Sequence, residues 1–186
     1  MSKAFVKDDD TWQDPEIEID PRADIPAGSR NYMTPQGVCR LRDELNDLVR
    51  HSRPQLLAVI NRLTREGSGR TDATYRDTRK SLHRLENRIT FLTGRLAITE
   101  EIDPLDQGGD KVRFGATVNV QPDEGPVKIY RIVGIDEADV ERGHISWTSP
   151  LARALLDGRS GDIVKVRTPA GEQELEIVEV RYCEIK

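Results

Sequence analysis

The stretch Asp72-Ala73-Thr74-Tyr75-Arg76-Asp77-Thr78-Arg79-Lys80-Ser81-Leu82-His83-Arg84-Leu85-Glu86-Asn87-Arg88-Ile89-Thr90-Phe91-Leu92-Thr93-Gly94-Arg95-Leu96 decides how the chain folds. Tyr75, Thr78, Leu82, Leu85, Ile89, Leu92 and Leu96 recur alternately three and four apart, the spacing of a coiled-coil seam. The partner lies just upstream: Val38, Leu41, Leu45 and Leu48, then Leu56, Ile60 and Leu63. Helices are predicted over Thr34 to Glu66 and Asp72 to Glu101. The loop between them, Gly67-Ser68-Gly69-Arg70-Thr71, is short enough to allow only an antiparallel hairpin. Some thirty residues at ~1.5 Å rise make a rod on the order of 45 Å long. Such a rod buries its seam and little else, so it spaces two things or delivers its tip, and the chemistry of the tip carries the function.

Working outward, Pro54 falls inside the first helix, where it removes a hydrogen bond and crowds the preceding turn. The seam loses register beside it, at Ser52 and Arg53, which predicts a kink or local break. Before the hairpin, residues 1–32 hold acidic runs and Pro15, Pro21 and Pro26 without periodicity, and read as an acidic, mostly disordered tail. After it, Asp103-Pro104 and Gly108-Gly109 mark a linker over 103–110. Residues 111–186 change period. Phe114 to Val120, Val127 to Ile135, Ile163 to Val166 and Glu174 to Tyr182 read as strands, with Thr168-Pro169-Ala170-Gly171-Glu172 as a hairpin turn. Ser149 is a good N-cap and Pro150 suits the first helical position, so Leu151 to Leu156 forms one short helix stopped by Gly158. The fold class is α+β: a coiled-coil hairpin over 33–102, then a small antiparallel β domain.

With 36% hydrophobic, 5% aromatic and 33% charged residues, the composition is that of a highly solvated chain with a modest core. No run approaches ~18 consecutive apolar residues, so no membrane span is expected, and the N-terminus has no apolar signal core. Cys39 and Cys183 have neither metal-type nor framework spacing, and read as two reduced thiols of a cytoplasmic protein. The net charge of −5 is unevenly spread: residues 33–102 carry thirteen Lys/Arg against nine Asp/Glu, and both flanks are acidic. Arg76, Lys80, Arg84 and Arg88 recur every four residues, with Arg79 beside them, as a basic stripe along helix two. Like charges at that spacing repel by a few tenths of a kcal/mol per pair, which suits a stripe that meets phosphates or an acidic surface as well as one that is simply solvated.

A hairpin followed by a compact β domain resembles the bacterial Gre transcript-cleavage factors, the GreB type in particular. The resemblance runs from about Met33 to Tyr182. Its most specific part is Tyr130-Arg131-Ile132-Val133-Gly134-Ile135-Asp136-Glu137, Ile145-Ser146-Trp147-Thr148-Ser149-Pro150-Leu151-Ala152-Arg153-Ala154-Leu155-Leu156, Gly161-Asp162 and Thr168-Pro169-Ala170-Gly171-Glu172. The hairpin matches at Leu41, Glu44-Leu45, Arg53-Pro54, Gly67, Ala73 and Tyr75. The resemblance implies an FKBP-like C-terminal domain that docks on the rim of RNA polymerase's secondary channel. It also implies a coiled coil inserted toward the active centre, near the polymerase's own Mg²⁺ and the 3′ end of the nascent RNA, with no cofactor of the factor's own. Thr148, Ser149 and Pro150 stand where the family has an [Asp/Asn]-Ser-Pro loop that touches the rim, although Ser149-Pro150 also suffices as a plain helix start.

The tip departs from the family. Cleavage-competent members carry a motif similar to Gly-Asp-x-x-Glu-Asn-Ala-[Asp/Glu]-Tyr, whose Asp and Glu help hold a second Mg²⁺ and its attacking water. Metal chemistry of that kind needs hard carboxylate oxygens. Here Ser68 replaces the Asp, Thr71 the Glu, and Thr74 the further acid, with Arg70 adding the opposite charge. Asp72 is acidic, but it lies one residue on, about 100° round a helix, and suits the helix N-terminus. Glu66 is a weaker candidate still. His51, His83 and His144 fall on separate elements and read as surface residues. The expected function is a Gre-type elongation factor-like regulator that occupies the channel without efficient cleavage stimulation, an accessory factor rather than an enzyme. The alternatives are a cleavage factor using Asp72, with or without Glu66, and a hairpin adaptor for another acidic or nucleic-acid partner.

Overall fold

The computed structural model describes residues 19–67, 72–168 and 171–185. Thr34 follows an extended strand, β1 (Asn31–Met33), and its hydroxyl accepts the Gly37 N–H at 3.1 Å, opening helix α1 (Pro35–Asp47) with Pro35 at its first position. Helix α2 (Arg53–Arg65) continues it. Between them Leu48–Ser52 widens to a π-helical turn in which Arg53 N–H reaches the Leu48 carbonyl. The expected break at Pro54 is therefore a π-bulge: one extra residue in the turn accommodates a ring that has no N–H to donate, and the helix runs on.

Helix α3 (Ala73–Ala97) returns antiparallel to α1 and α2. On the expected seam Val38, Leu41, Ile60, Leu63, Leu82 and Leu92 are buried and the other positions are partly covered. Arg53 pairs with Glu86 across the hairpin at 3.2 Å, and Arg88 holds Glu44 with two hydrogen bonds of 2.7 and 2.9 Å. The second helix stops earlier than its sequence suggests. The Thr99 hydroxyl donates to the Arg95 carbonyl at 2.7 Å, and Thr99–Glu101 leaves as strand β2, paired in parallel with β1.

That pairing corrects the expectation of a disordered tail for residues 19–32. Pro21 and Ala23 lend their carbonyls to Arg95, Arg30 pairs with Glu100, and β1 completes a two-stranded sheet. The first eighteen residues of the expected tail lie outside the described residues.

Beyond a 3₁₀ turn at Pro104–Asp106, capped by Asp103, come β3 (Ala116–Pro122), β4 (Lys128–Val133), β5 (His144–Ser146), α4 (Pro150–Leu155), β6 (Ile163–Thr168) and β7 (Gly171–Tyr182). The sheet order is β5-β4-β3-β7-β6. It is not wholly antiparallel as expected: β5, a strand too short to show alternation, pairs with β4 in parallel. A shift in register between Asn119 and Val120 leaves Val178 as the extra residue of a bulge in β7. Val112, Ala116, Val118, Val120, Ile132, Val166, Leu175 and Ile177 form the domain core together with Ala152 and Leu155 of α4.

Candidate functional site

At the far end of the hairpin α2 finishes with Glu66, whose N–H donates to the Arg62 carbonyl, and with Gly67 at φ 78°. That left-handed conformation favours glycine, and it turns the chain out of the helix. Ser68, Gly69, Arg70 and Thr71 lie outside the described residues, so for the two substituted tip positions only residue identity speaks. Asp72 is described. Its Oδ1 accepts the N–H of Thr74 at 2.7 Å and of Tyr75 at 3.1 Å, from an extended backbone at ψ 127°. The carboxylate is the N-cap of α3. Glu66 is exposed at the end of α2. Among the described residues no group of three or more His, Cys, Asp or Glu side chains is placed to hold a metal.

The stripe on α3 is exposed at Arg76, Arg79, Lys80, Arg84 and Arg88. Arg88 belongs equally to the hairpin: besides Glu44 it lies over the Phe91 ring at 5.4 Å, and its guanidinium holds the Glu44 carboxyl below the usual carboxylate range. In the β domain, the Ser149 hydroxyl accepts the Ala152 N–H at 3.1 Å and Pro150 opens α4, exposed. Thr148 is tied back by its N–H to Ser146 Oγ at 3.2 Å and by a 2.8 Å contact between the two hydroxyls. The helix start at Thr148-Ser149-Pro150 is thus an ordered, partly exposed corner. Among the described residues, Asp72 opens α3 in the hairpin, whereas this corner opens α4 in the β domain.

Residues 31–100 match the family described as transcription elongation factor, N-terminal, and residues 106–182 match transcription elongation factor, GreA/GreB, C-term. The chain is 40% identical over 158 residues to transcription elongation factor GreB of Neisseria meningitidis serogroup B, covering 84% of this chain and 97% of the relative. It is 41% identical over 156 residues to transcription elongation factor GreA of Alkalilimnicola ehrlichii, covering 83% and 99%. The chain belongs to the GreA/GreB transcription elongation factor family. Among solved structures, GreA factor homolog 1 of Thermus thermophilus is similar over 82% of this chain and 99% of its own, at 24% identity and a TM-score of 0.39, a level that decides nothing by itself.

As a Gre factor the chain is an accessory transcription protein without a cofactor of its own. No helix among its described residues is long and apolar enough to cross a membrane. Sequence reasoning missed the residues that join the two parts of this Gre fold. Asp136 and Glu137 stood only as part of a family-like run, yet Asp136 takes both oxygens to the buried Arg95, and Glu137 is itself buried against Thr34. The available signal was an arginine between Leu92 and Leu96, beside the seam. His144 was expected at the surface but is only 8% exposed, and burial together with the nearby Arg131 lowers its pKa.

Proposed function

We propose that this Gre factor binds RNA polymerase through its C-terminal domain and inserts its hairpin as a coiled coil into the secondary channel, without efficiently stimulating transcript cleavage. The hairpin of residues 33–102 is the inserted rod, 103–110 the connection, and 111–186 the docking domain, which meets the channel rim at Thr148, Ser149 and Pro150. The observation that carries the reading is the state of the one acid left where α3 begins: Asp72 Oδ1 is engaged by two backbone N–H groups as a helix cap. Ser68 and Thr71 supply neutral hydroxyls where a second Mg²⁺ would need carboxylates. What remains is a delivery rod with a basic flank, suited to occupy a channel lined by acids and leading to RNA phosphates. It would act by limiting nucleotide entry, by competing with other channel-binding factors or by favouring one polymerase state.

The test is an RNA cleavage assay on a backtracked elongation complex. Wild-type protein should bind the complex without accelerating cleavage, and the Ser68→Asp, Thr71→Glu double variant should gain cleavage. A double variant that binds normally yet cleaves no faster than wild type would show that the tip is placed differently. Cleavage by wild type that is lost in Asp72→Asn would instead establish Asp72 as a working acid.

A further inference from the structure

Residues 19–30 precede the stretch matched to the family, and they are folded against the base of the hairpin. The Arg22 N–H donates to Asp20 Oδ1 at 2.8 Å and the Ala23 N–H to the Asp20 carbonyl at 3.1 Å, so the chain turns tightly there. The turn presents two carbonyls, Pro21 O and Ala23 O, to Nη1 of Arg95 at 2.7 and 2.9 Å. From the opposite side Asp136, in the β domain, receives Nε at 2.8 Å and Nη2 at 3.1 Å. The guanidinium also lies 5.2 Å from the centre of the Phe91 ring. Arg95 is 1% exposed. A charge so buried is tolerable only because its fork is filled from both sides, and the two sides belong to different parts of the chain. Gly94 is the complement of this contact. A Cβ there would overlap Cγ of Pro21 and lie 2.9 Å from its Cβ, in a ring that cannot swing aside.

We infer that residues 20–30 are a strap that, through Arg95, fixes the angle between the hairpin and the β domain, and that Arg95 is a positioning residue for the tip. This rests on the reading of the hairpin as a delivered rod, but the geometry of the junction is testable in the free protein. Two carbonyls and one carboxylate leave the planar fork one orientation, and α3 is anchored through it only two residues from its end. A small tilt at this point is amplified along the rod. Ser81 lies fourteen residues away, roughly 21 Å along the axis, so a tilt of about 10° displaces it on the order of 4 Å.

The experiment measures the distance between spin labels on the full chain, one on the native, exposed Cys183 and one introduced by Ser81→Cys in a Cys39→Ser background. That background should show one narrow distribution. Gly94→Ala evicts Pro21 while favouring the helix, so it tests the strap without unfolding α3. Arg95→Lys keeps the charge but loses the fork. Both should broaden or shift the distribution by several ångströms, with helix content by circular dichroism unchanged. An unchanged distribution in either variant overturns the proposal. Because polymerase is absent from this measurement, its failure is distinct from a failure of the channel-insertion reading, which the cleavage assay tests.

Discussion

The carboxylate of Glu137 accepts both the backbone N–H of Thr34, at 3.0 Å, and the Thr34 hydroxyl, across 103 residues of sequence. That hydroxyl in turn caps α1, so the first turn of the hairpin is completed by a side chain of the β domain. The same Glu137 takes the Gly134 N–H at 2.9 Å, and Gly37 lies so close that a Cβ there would overlap its carboxyl group. Glu137→Ala strands buried N–H groups and should cost about 2–3 kcal/mol in urea unfolding. Gly37→Ala should also destabilise, and less so in the Glu137→Ala background, where the overlap is gone. Additive losses would mean that the two residues do not share this contact.

Asp72 gives a prediction that separates a cap from a catalytic acid. Asn caps helices about as well as Asp, whereas Ala does not, so Asp72→Asn should melt with wild type and Asp72→Ala should lose about 1 kcal/mol. Transcript cleavage should be the same for all three proteins. Thermal melts beside the backtracked-complex assay check both halves.

The basic stripe predicts a dependence on salt. Charge reversal at Arg76, Arg79, Lys80 and Arg84 should leave the seam at Leu82, Leu85 and Ile89 intact, since those residues turn into the hairpin while the stripe is exposed. Polymerase affinity should fall roughly tenfold or more at low ionic strength, and the steep loss of wild-type binding with added salt should flatten. Arg88 is left out of this variant because its pairing with Glu44 holds the two helices together. Identical salt slopes for the two proteins would make the stripe a solvated flank.

His144 predicts a pH effect on stability. Its pKa is lowered, first by burial and then by Arg131, with Arg142 and Arg40 acting in the same direction and Asp139 opposing them. The unfolded chain therefore takes up a proton near the ordinary value of about 6.5, while the folded chain resists it to lower pH. The stabilising contribution is complete above about pH 6.5 and is lost as pH falls through the lower folded pKa. Replacing His144 by Gln should flatten this part of the profile. Denaturant titrations of wild type and His144→Gln from about pH 7.5 to 5 should converge toward the acid end if the histidine is responsible.

What the sequence alone determined is what short-range periodicity and capping chemistry decide. The three-four repeat of Leu82, Leu85, Ile89 and Leu92 specifies a seam because one helical turn brings those residues to one face whatever surrounds them. Ser149 before Pro150 specifies a helix start for an equally local reason, and the absence of acids at Ser68 and Thr71 is a matter of identity. Tertiary structure decided the rest. Thr99-Glu100-Glu101 has no strand pattern of its own and becomes one because Asn31–Met33 lies beside it. Arg95 is buried because a turn at Pro21 and a carboxylate at Asp136, 74 and 41 residues away in sequence, fill its fork from two sides. His144 is covered although its strand is only three residues long. In each case the deciding partner is distant along the chain, and local propensity holds no record of which distant group will arrive.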